Sequence, residues 1–279
     1  MIAPYILGLA AAVKPLAANH TAGRLPRRVI PLMPRRGMVE FCGPAPLYWC
    51  QLTGLEGFMA EHIPHEIERN IMVDCQVRPD NVTDTRVTGA MRRLPREAFA
   101  PAGANAYSDA DIPLGGGRYL LKPQLTARLA QLALEDSRPS TPRHALVVGA
   151  GAGYLAAILA DAGVNVVALE EEAWLDTGAL AVHAPAVEAV RGPLAAGWPA
   201  GGPYEVIVIE GAVTAIPAIL SAQLAPGGRV VTVLADTGEN GIGRIVLAEP
   251  VGNGYATRRI ADCAARLLPQ FRAAPAFSF

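Results

Sequence analysis

Three glycines and a carboxylate are the residues of this sequence best arranged for chemistry. Gly149, Gly151 and Gly153, with Ala150 between the first two, follow the apolar run Leu146-Val-Val. Glu170 closes the next apolar run, Val166-Val-Ala-Leu. Glycine lets a backbone approach a ligand closely, and a helix that starts there offers unpaired N–H groups and the positive end of its dipole. A carboxylate at the tip of the following strand can accept hydrogen bonds from both hydroxyls of a ribose. Together these residues read as one nucleotide-binding strand–helix–strand unit. The spacing narrows the ligand. A dinucleotide fingerprint keeps a small residue at its last position, because the helix packs tightly on the strand there and the pyrophosphate needs room. Here that position is Tyr154, which suits a nucleoside ligand without a pyrophosphate. A tight strand–helix turn with no ligand would leave the same trace.

The rest of the chain must position this unit. Residues 83–94 are expected to form a helix: Thr83 or Asp84 caps it, Val87, Ala90, Met91 and Leu94 make its apolar face, and Pro95 stops it. Residues 109–118 form a glycine-rich loop. Pro123 then opens a helix at its first turn, with Leu125, Leu129 and Leu132 as its buried stripe. A linker is expected at 139–142. The helix after the glycine turn runs to about residue 162, and Gly163 sits where a left-handed helix end belongs. Val206-Ile-Val-Ile209 is apolar on both faces, as a buried parallel strand requires. Residues 216–224 read as helical, 225–228 as a turn and 229–234 as a strand. Asn253-Gly254 supplies positive φ for a hairpin of 243–249 with 255–261. The alternation predicts a doubly wound α/β fold, a mostly parallel sheet with an antiparallel C-terminal hairpin. Its ligand belongs at the carboxyl ends of the central strands, an edge that Glu210 faces from the end of one of them.

Bulk properties exclude some classes. The 279 residues carry 24 basic and 25 acidic side chains, so no global field invites nucleic acid. Cys42, Cys50, Cys75 and Cys263 make no C-x-x-C pair, and Pro64 separates His62 from His65, so no metal site is expected. Scattered thiols suit a reducing cytoplasm. Residues 1–71 differ from the rest: Lys14 and five arginines precede the first acid, Glu40. An apolar stretch near the start is too short to span a bilayer and contains Lys14 and Pro15. Three readings stand: a disordered extension or upstream sequence ahead of a start at Met59 or Met72, an Arg-rich targeting segment, or a membrane-surface arm. The domain proper is expected over 72–279, with an N-terminal helical and loop part to 142 and the ligand-binding sheet over 143–279.

Several motifs extend the reading to a family. Leu94-Pro-Arg-Glu-Ala-Phe-Ala-Pro101, Tyr107-Ser-Asp109 with Pro113-Leu-Gly115-Gly-Gly117, the Gly149 turn with Tyr154, and Gly197-Trp198-Pro199 ahead of Pro203-Tyr-Glu205 lie in this order. The stretch from Asp84 onward resembles the protein-L-isoaspartate O-methyltransferase family. The resemblance implies a class I methyltransferase fold with S-adenosyl-L-methionine as cofactor. It implies that Gly149, Ala150, Gly151, Gly153, Tyr154, Glu170 and Glu210 surround the cofactor. The loop with Asp109, Arg118, Leu121 and Lys122 would face an isoaspartyl carboxylate on a protein or peptide. The implied protein is a monomer that repairs damaged aspartyl residues in the cytoplasm, without nucleic acid or membrane.

Three positions depart from the family pattern. Leu121 stands where the family has an active-site serine, with Lys122 in place of a glutamine. Gly192-Pro193-Leu194 replaces G-D-G, and Val147 replaces an acid. Methyl transfer from a sulfonium needs alignment and exclusion of water more than a base, and a carboxylate acceptor is already ionised near neutral pH. A serine hydroxyl would orient that acceptor. Leucine cannot, and an unpaired buried oxygen costs about 1–3 kcal/mol, roughly tenfold to a hundredfold in rate. Arg118 or Lys122 would compensate if either clamped the acceptor; both would otherwise be solvated loop charges. A family member that binds the cofactor without catalysis is the alternative, and a nicotinamide oxidoreductase is a third reading, disfavoured by Tyr154.

Overall fold

A computed structural model describes residues 64–135, 144–236 and 242–272. They belong to one unit, Ala60–Phe279. The expectations for residues 1–63 and for the 139–142 linker lie outside the described residues.

The first elements are helices α1 (His65–Met72) and α2 (Thr85–Arg93). Asp84 caps α2 by accepting the Arg86 N–H at 2.8 Å, which satisfies one of the helix's orphan donors. Val87, Ala90 and Met91 are fully buried and Leu94 nearly so, the face expected from their spacing. The glycine-rich loop is more ordered than expected. It is a small hairpin of β1 (Ile112–Gly115) and β2 (Arg118–Leu120), turned by Gly116 and Gly117 at positive φ. Helix α3 (Pro123–Leu134) starts at the anticipated proline. Its C-terminal carbonyls are capped from the sheet: the buried Arg229 donates to Leu132 O, Ala133 O and Glu135 O, a cation at the negative end of a helix.

The ligand-binding half follows as β3 (His144–Val148), α4 (Tyr154–Asp161), β4 (Asn165–Glu170), α5 (Ala179–His183), β5 (Glu188–Arg191), β6 (Tyr204–Val213), β7 (Leu224–Ala235), β8 (Ile242–Val251) and β9 (Gly254–Ala264). The sheet order is β5-β4-β3-β6-β7-β8-β9, with β3 to β7 parallel and β8 and β9 antiparallel. Alternate residues enter two cores, one on each face. Ala145, Val147, Val166, Ala168, Val206 and Val208 pack with the helices α2 to α4, while Leu146, Val148, Val167, Leu169, Ile207 and Ile209 pack on the other side. Each such Val, Leu or Ile contributes about 1.5–3 kcal/mol by leaving water.

Four local details correct the sequence reading. Residues 218–223 form a 3₁₀ turn rather than an α-helix. The 225–228 turn is drawn into β7 as a bulge, where the register steps from Tyr204↔Leu224 to Val206↔Arg229. In the β8–β9 hairpin the positive φ falls on Gly252, at +57°, and not on Asn253-Gly254. Strand β5 was not expected; it is a short, largely exposed edge with little apolar pattern.

Helix α1 begins at His65, ahead of the expected boundary at Met72, and is tied to the domain by Arg69. That guanidinium donates to Tyr107 Oη at 3.3 Å, to Arg92 O at 3.3 Å and to Glu97 Oε1 at 3.2 Å. A chain shortened to begin at Met72 is therefore expected to be about 1–3 kcal/mol less stable than one beginning at Ala60. Urea denaturation of the two checks this, and equal midpoints would contradict it.

Candidate functional site

Strand order reverses at β3, with β4 and β5 on one side and β6 to β9 on the other. The glycine turn leaves β3 at this switch point, where doubly wound sheets bind ligands. Gly149, Gly151 and Gly153 have φ of +74°, +53° and +90°. A Cβ on Gly153 would come within 2.6 Å of Leu180, so a larger residue there meets both strain and a wall. The turn is fastened to β4: the Gly149 and Ala150 N–H groups donate to Leu169 O at 2.9 and 3.2 Å.

Glu170 ends β4 beside this turn, as expected, and is fully buried. Its carboxylate is already engaged. Oε1 accepts from Arg118 Nε at 3.1 Å, from Arg118 Nη2 at 3.0 Å and from the Glu171 N–H at 2.7 Å. Oε2 accepts from the Gly151 N–H at 3.0 Å and from Arg118 Nε at 3.2 Å. Arg118 is 1% exposed. It is therefore neither a solvated loop charge nor placed as a clamp for an acceptor; it clamps Glu170. Gln270 completes the network, accepting from Arg118 Nη1 at 2.7 Å and donating to Glu171 Oε2 at 2.6 Å.

Gln270 belongs to a segment that crosses the crevice. The Ala212 N–H donates to Arg266 O, and the Leu268 N–H donates to Ala212 O, both at 2.9 Å, so the segment pairs with the end of β6. Leu268 then lies over two glycines. A Cβ on Gly149 would be 3.3 Å from its Cδ1, and one on Gly211 2.6 Å from its Cγ. The remaining cavity, lined by Arg118, Leu121, Gly149, Glu210 and Leu268 among others, is about 10 Å³, room for about one water.

Glu210 lines this cavity and is 5% exposed; its Oε2 has no hydrogen-bond partner. Burial pushes its carboxyl well above the usual range; the Arg96 charge opposes the shift and that of Glu170 adds to it. Arg96 is itself fully buried, donating to Ala106 O at 2.7 Å and to Leu121 O at 2.6 Å. It thereby fixes the backbone of the loop at Leu121. Tyr154 lies beneath it, 5.0 Å from guanidinium to ring centroid, and packs on Phe99 at 5.3 Å. Tyr154 is thus core, 0% exposed, and burial pushes its phenol up to about 12.

The remaining loop candidates do not converge on the cavity. Lys122 lines a separate cleft with Asp80, Asp262 and Cys263, and Asp109 is exposed, accepting from the Gln124 amide. Trp198 is a structural anchor, with its N–H on Gln223 and its carbonyl accepting from Tyr204 Oη. Among the described residues no cluster of three metal-ligating side chains occurs. Arg96, Leu268 and Gln270 were missed. Only Arg96 carried a signal, as the arginine of the Leu94-Pro-Arg motif.

A doubly wound sheet ending in an antiparallel pair, with a glycine turn and a strand-end carboxylate at its switch point, defines a class I methyltransferase. The pattern described as Protein-L-isoaspartate(D-aspartate) O-methyltransferase matches residues 68–255. The chain belongs to this family, whose cofactor is S-adenosylmethionine. It is 39% identical over 186 residues to the protein-L-isoaspartate O-methyltransferase of Methylorubrum extorquens, covering 64% of this chain and 79% of that one. It is 34% identical over 208 residues to that of Methanoregula boonei, covering 72% and 93%. The crystal structure of a putative member from Plasmodium falciparum, in complex with S-adenosyl-L-homocysteine, shares the fold with a TM-score of 0.59 at 15% identity, over 72% of this chain and 98% of that one.

The residues present suit the family cofactor in kind, with a glycine turn for close approach and a carboxylate for a ribose. The space is closed by Arg118 on Glu170 and by Leu268 over Gly149.

Proposed function

We propose that the protein transfers the methyl group of S-adenosylmethionine to the isoaspartyl carboxylate of damaged proteins and peptides. Membership of the family over residues 68–255 carries this reading. The bound cofactor supplies an electrophilic methyl on a sulfonium. The chain supplies position and dryness. Gly149, Ala150, Gly151 and Gly153 give a backbone surface without side chains, and Glu170 would hold the ribose hydroxyls once Arg118 has left it. Leu268 and Leu121, both buried on the cavity that Gly149 lines, would keep water from a bound methyl donor, so that solvent would not compete for the methyl. A carboxylate acceptor needs no base at neutral pH. The apolar Leu121 still leaves the acceptor short of one hydrogen bond.

The same reading takes the protein as a cytoplasmic monomer with neither nucleic acid nor membrane as partner. Balanced charge supports the part about nucleic acid, and no described helix is long and apolar enough to cross a membrane. The test is titration with S-adenosylhomocysteine, then transfer of labelled methyl to an isoaspartyl peptide and to its aspartyl isomer. Heat on binding and label on the isoaspartyl peptide alone are expected. Binding without transfer would point to another acceptor or to a binding-only protein, and no binding would remove the cofactor.

A further inference from the structure

The buried carboxyl of Glu210 has no role in the scheme above. It sits where β6 leaves its regular register. Val208 pairs with Val231 and Ala212 with Val233, so residues 209–211 oppose Thr232 alone. Such bulges re-aim a side chain, and they recur beside active sites. This one places Glu210 on the wall of the cavity shared by Leu121 of the substrate loop and Gly149 of the cofactor turn. That junction is where an acceptor and a methyl group would have to meet. Oε2 lies there buried and unpartnered. A buried polar atom without a partner is uncommon in a native fold and calls for an explanation.

We propose that the Glu210 carboxyl donates the hydrogen bond that holds the acceptor carboxylate, in place of the hydroxyl that Leu121 lacks. The inference rests on the reading that the acceptor is a carboxylate. The charged groups around Glu210 are Arg96 from the segment after α2, Arg118 from β2, Glu170 from β4 and Arg266 from the crossing segment. Arg96 is committed to two carbonyls, and Arg118, when the ribose takes Glu170, would keep Gln270 and Glu171 as partners. Burial, opposed by the Arg96 charge and helped by that of Glu170, raises the Glu210 carboxyl well above its usual range and so favours its protonated form. A protonated acid has an O–H to give, and an ionised one would repel the acceptor. The sign follows. The donor is present below the raised value and lost as pH rises through it, while the acceptor must be ionised, above about pH 4.

The experiment compares wild type, Glu210→Gln and Glu210→Leu, each saturated with S-adenosylhomocysteine, for binding of an isoaspartyl peptide from pH 5 to 9. Methyl transfer is followed in parallel with S-adenosylmethionine. Wild type should bind the peptide progressively more weakly as pH rises. Glu210→Gln keeps an N–H donor and should bind within about threefold of wild type at low pH, without the pH dependence. Glu210→Leu should lose tenfold to a hundredfold in peptide affinity and kcat/KM at low pH. Melting temperatures exclude misfolding as the cause. If wild type methylates the peptide and Glu210→Leu does so equally, or if wild type and Glu210→Gln share one pH profile, this proposal falls and the activity stands. If wild type neither binds nor methylates the peptide, both fall.

Discussion

Glu170→Ala is expected to destabilise the protein by about 3–5 kcal/mol, the cost of leaving a buried charge without its partner. Arg118 is 1% exposed, and this carboxylate at 3.0 Å is its near charge partner, with Glu171 further off at 4.0 Å. The Gly151 and Glu171 N–H groups would lose their acceptor in the same step. Cofactor affinity should fall as well, by about 1–3 kcal/mol for lost hydrogen bonds to a charged group. A second variant separates the effects. Glu170→Ala with Arg118→Met replaces the whole pair by apolar groups, which buried ion pairs often tolerate. It should recover most of the stability and none of the affinity. Urea denaturation and calorimetric titration of the two proteins decide it; a single variant within 1 kcal/mol of wild type would show that the pair is not held in solution.

Arg118→Met alone should act in opposite directions on the empty and loaded protein. Without ligand, Glu170 is left buried and loses its guanidinium partner, so the melting temperature should drop. With ligand, ribose hydroxyls no longer compete with Arg118, and the competent form needs no prior opening. Apparent affinity scales with the competent fraction, so S-adenosylhomocysteine should bind at least tenfold more tightly, about 1.4 kcal/mol. The thermal shift on adding ligand should exceed that of wild type. Weaker binding would mean instead that Arg118 touches the ligand, and the competition argument would be wrong.

How far the sequence could be read follows from how local each signal is. The glycine turn, Glu170, the Asp84 cap and the Pro123 start depend on neighbours within a few residues, and the structure has each where the pattern put it. The alternation of apolar runs was enough for the doubly wound sheet. What was not legible depends on distant pairing. Arg118 reads as a loop charge until a carboxylate 52 residues away is brought against it. Leu268 and Gln270 belong to no motif, and distant contacts carry them over the crevice: the pairing of Ala212 with residues 266 and 268, and Thr214 Oγ1 donating to Phe271 O. Lys122 and Arg118 are close in sequence, yet they serve different clefts, because Lys122 stands at the position just before α3 while Arg118 lies on β2. Spacing alone cannot say which way a short strand turns its residues.

The Arg118–Gln270 bond closes a loop of 152 residues, and Arg118–Glu170 closes one of 52. Closure entropy grows with the logarithm of loop length and is recovered only when distant segments meet. A partly folded chain can thus own its glycine turn and most of its sheet before the guanidinium network has closed over them. Closure of the crevice becomes a late event in folding, reached only when three remote stretches have found one another.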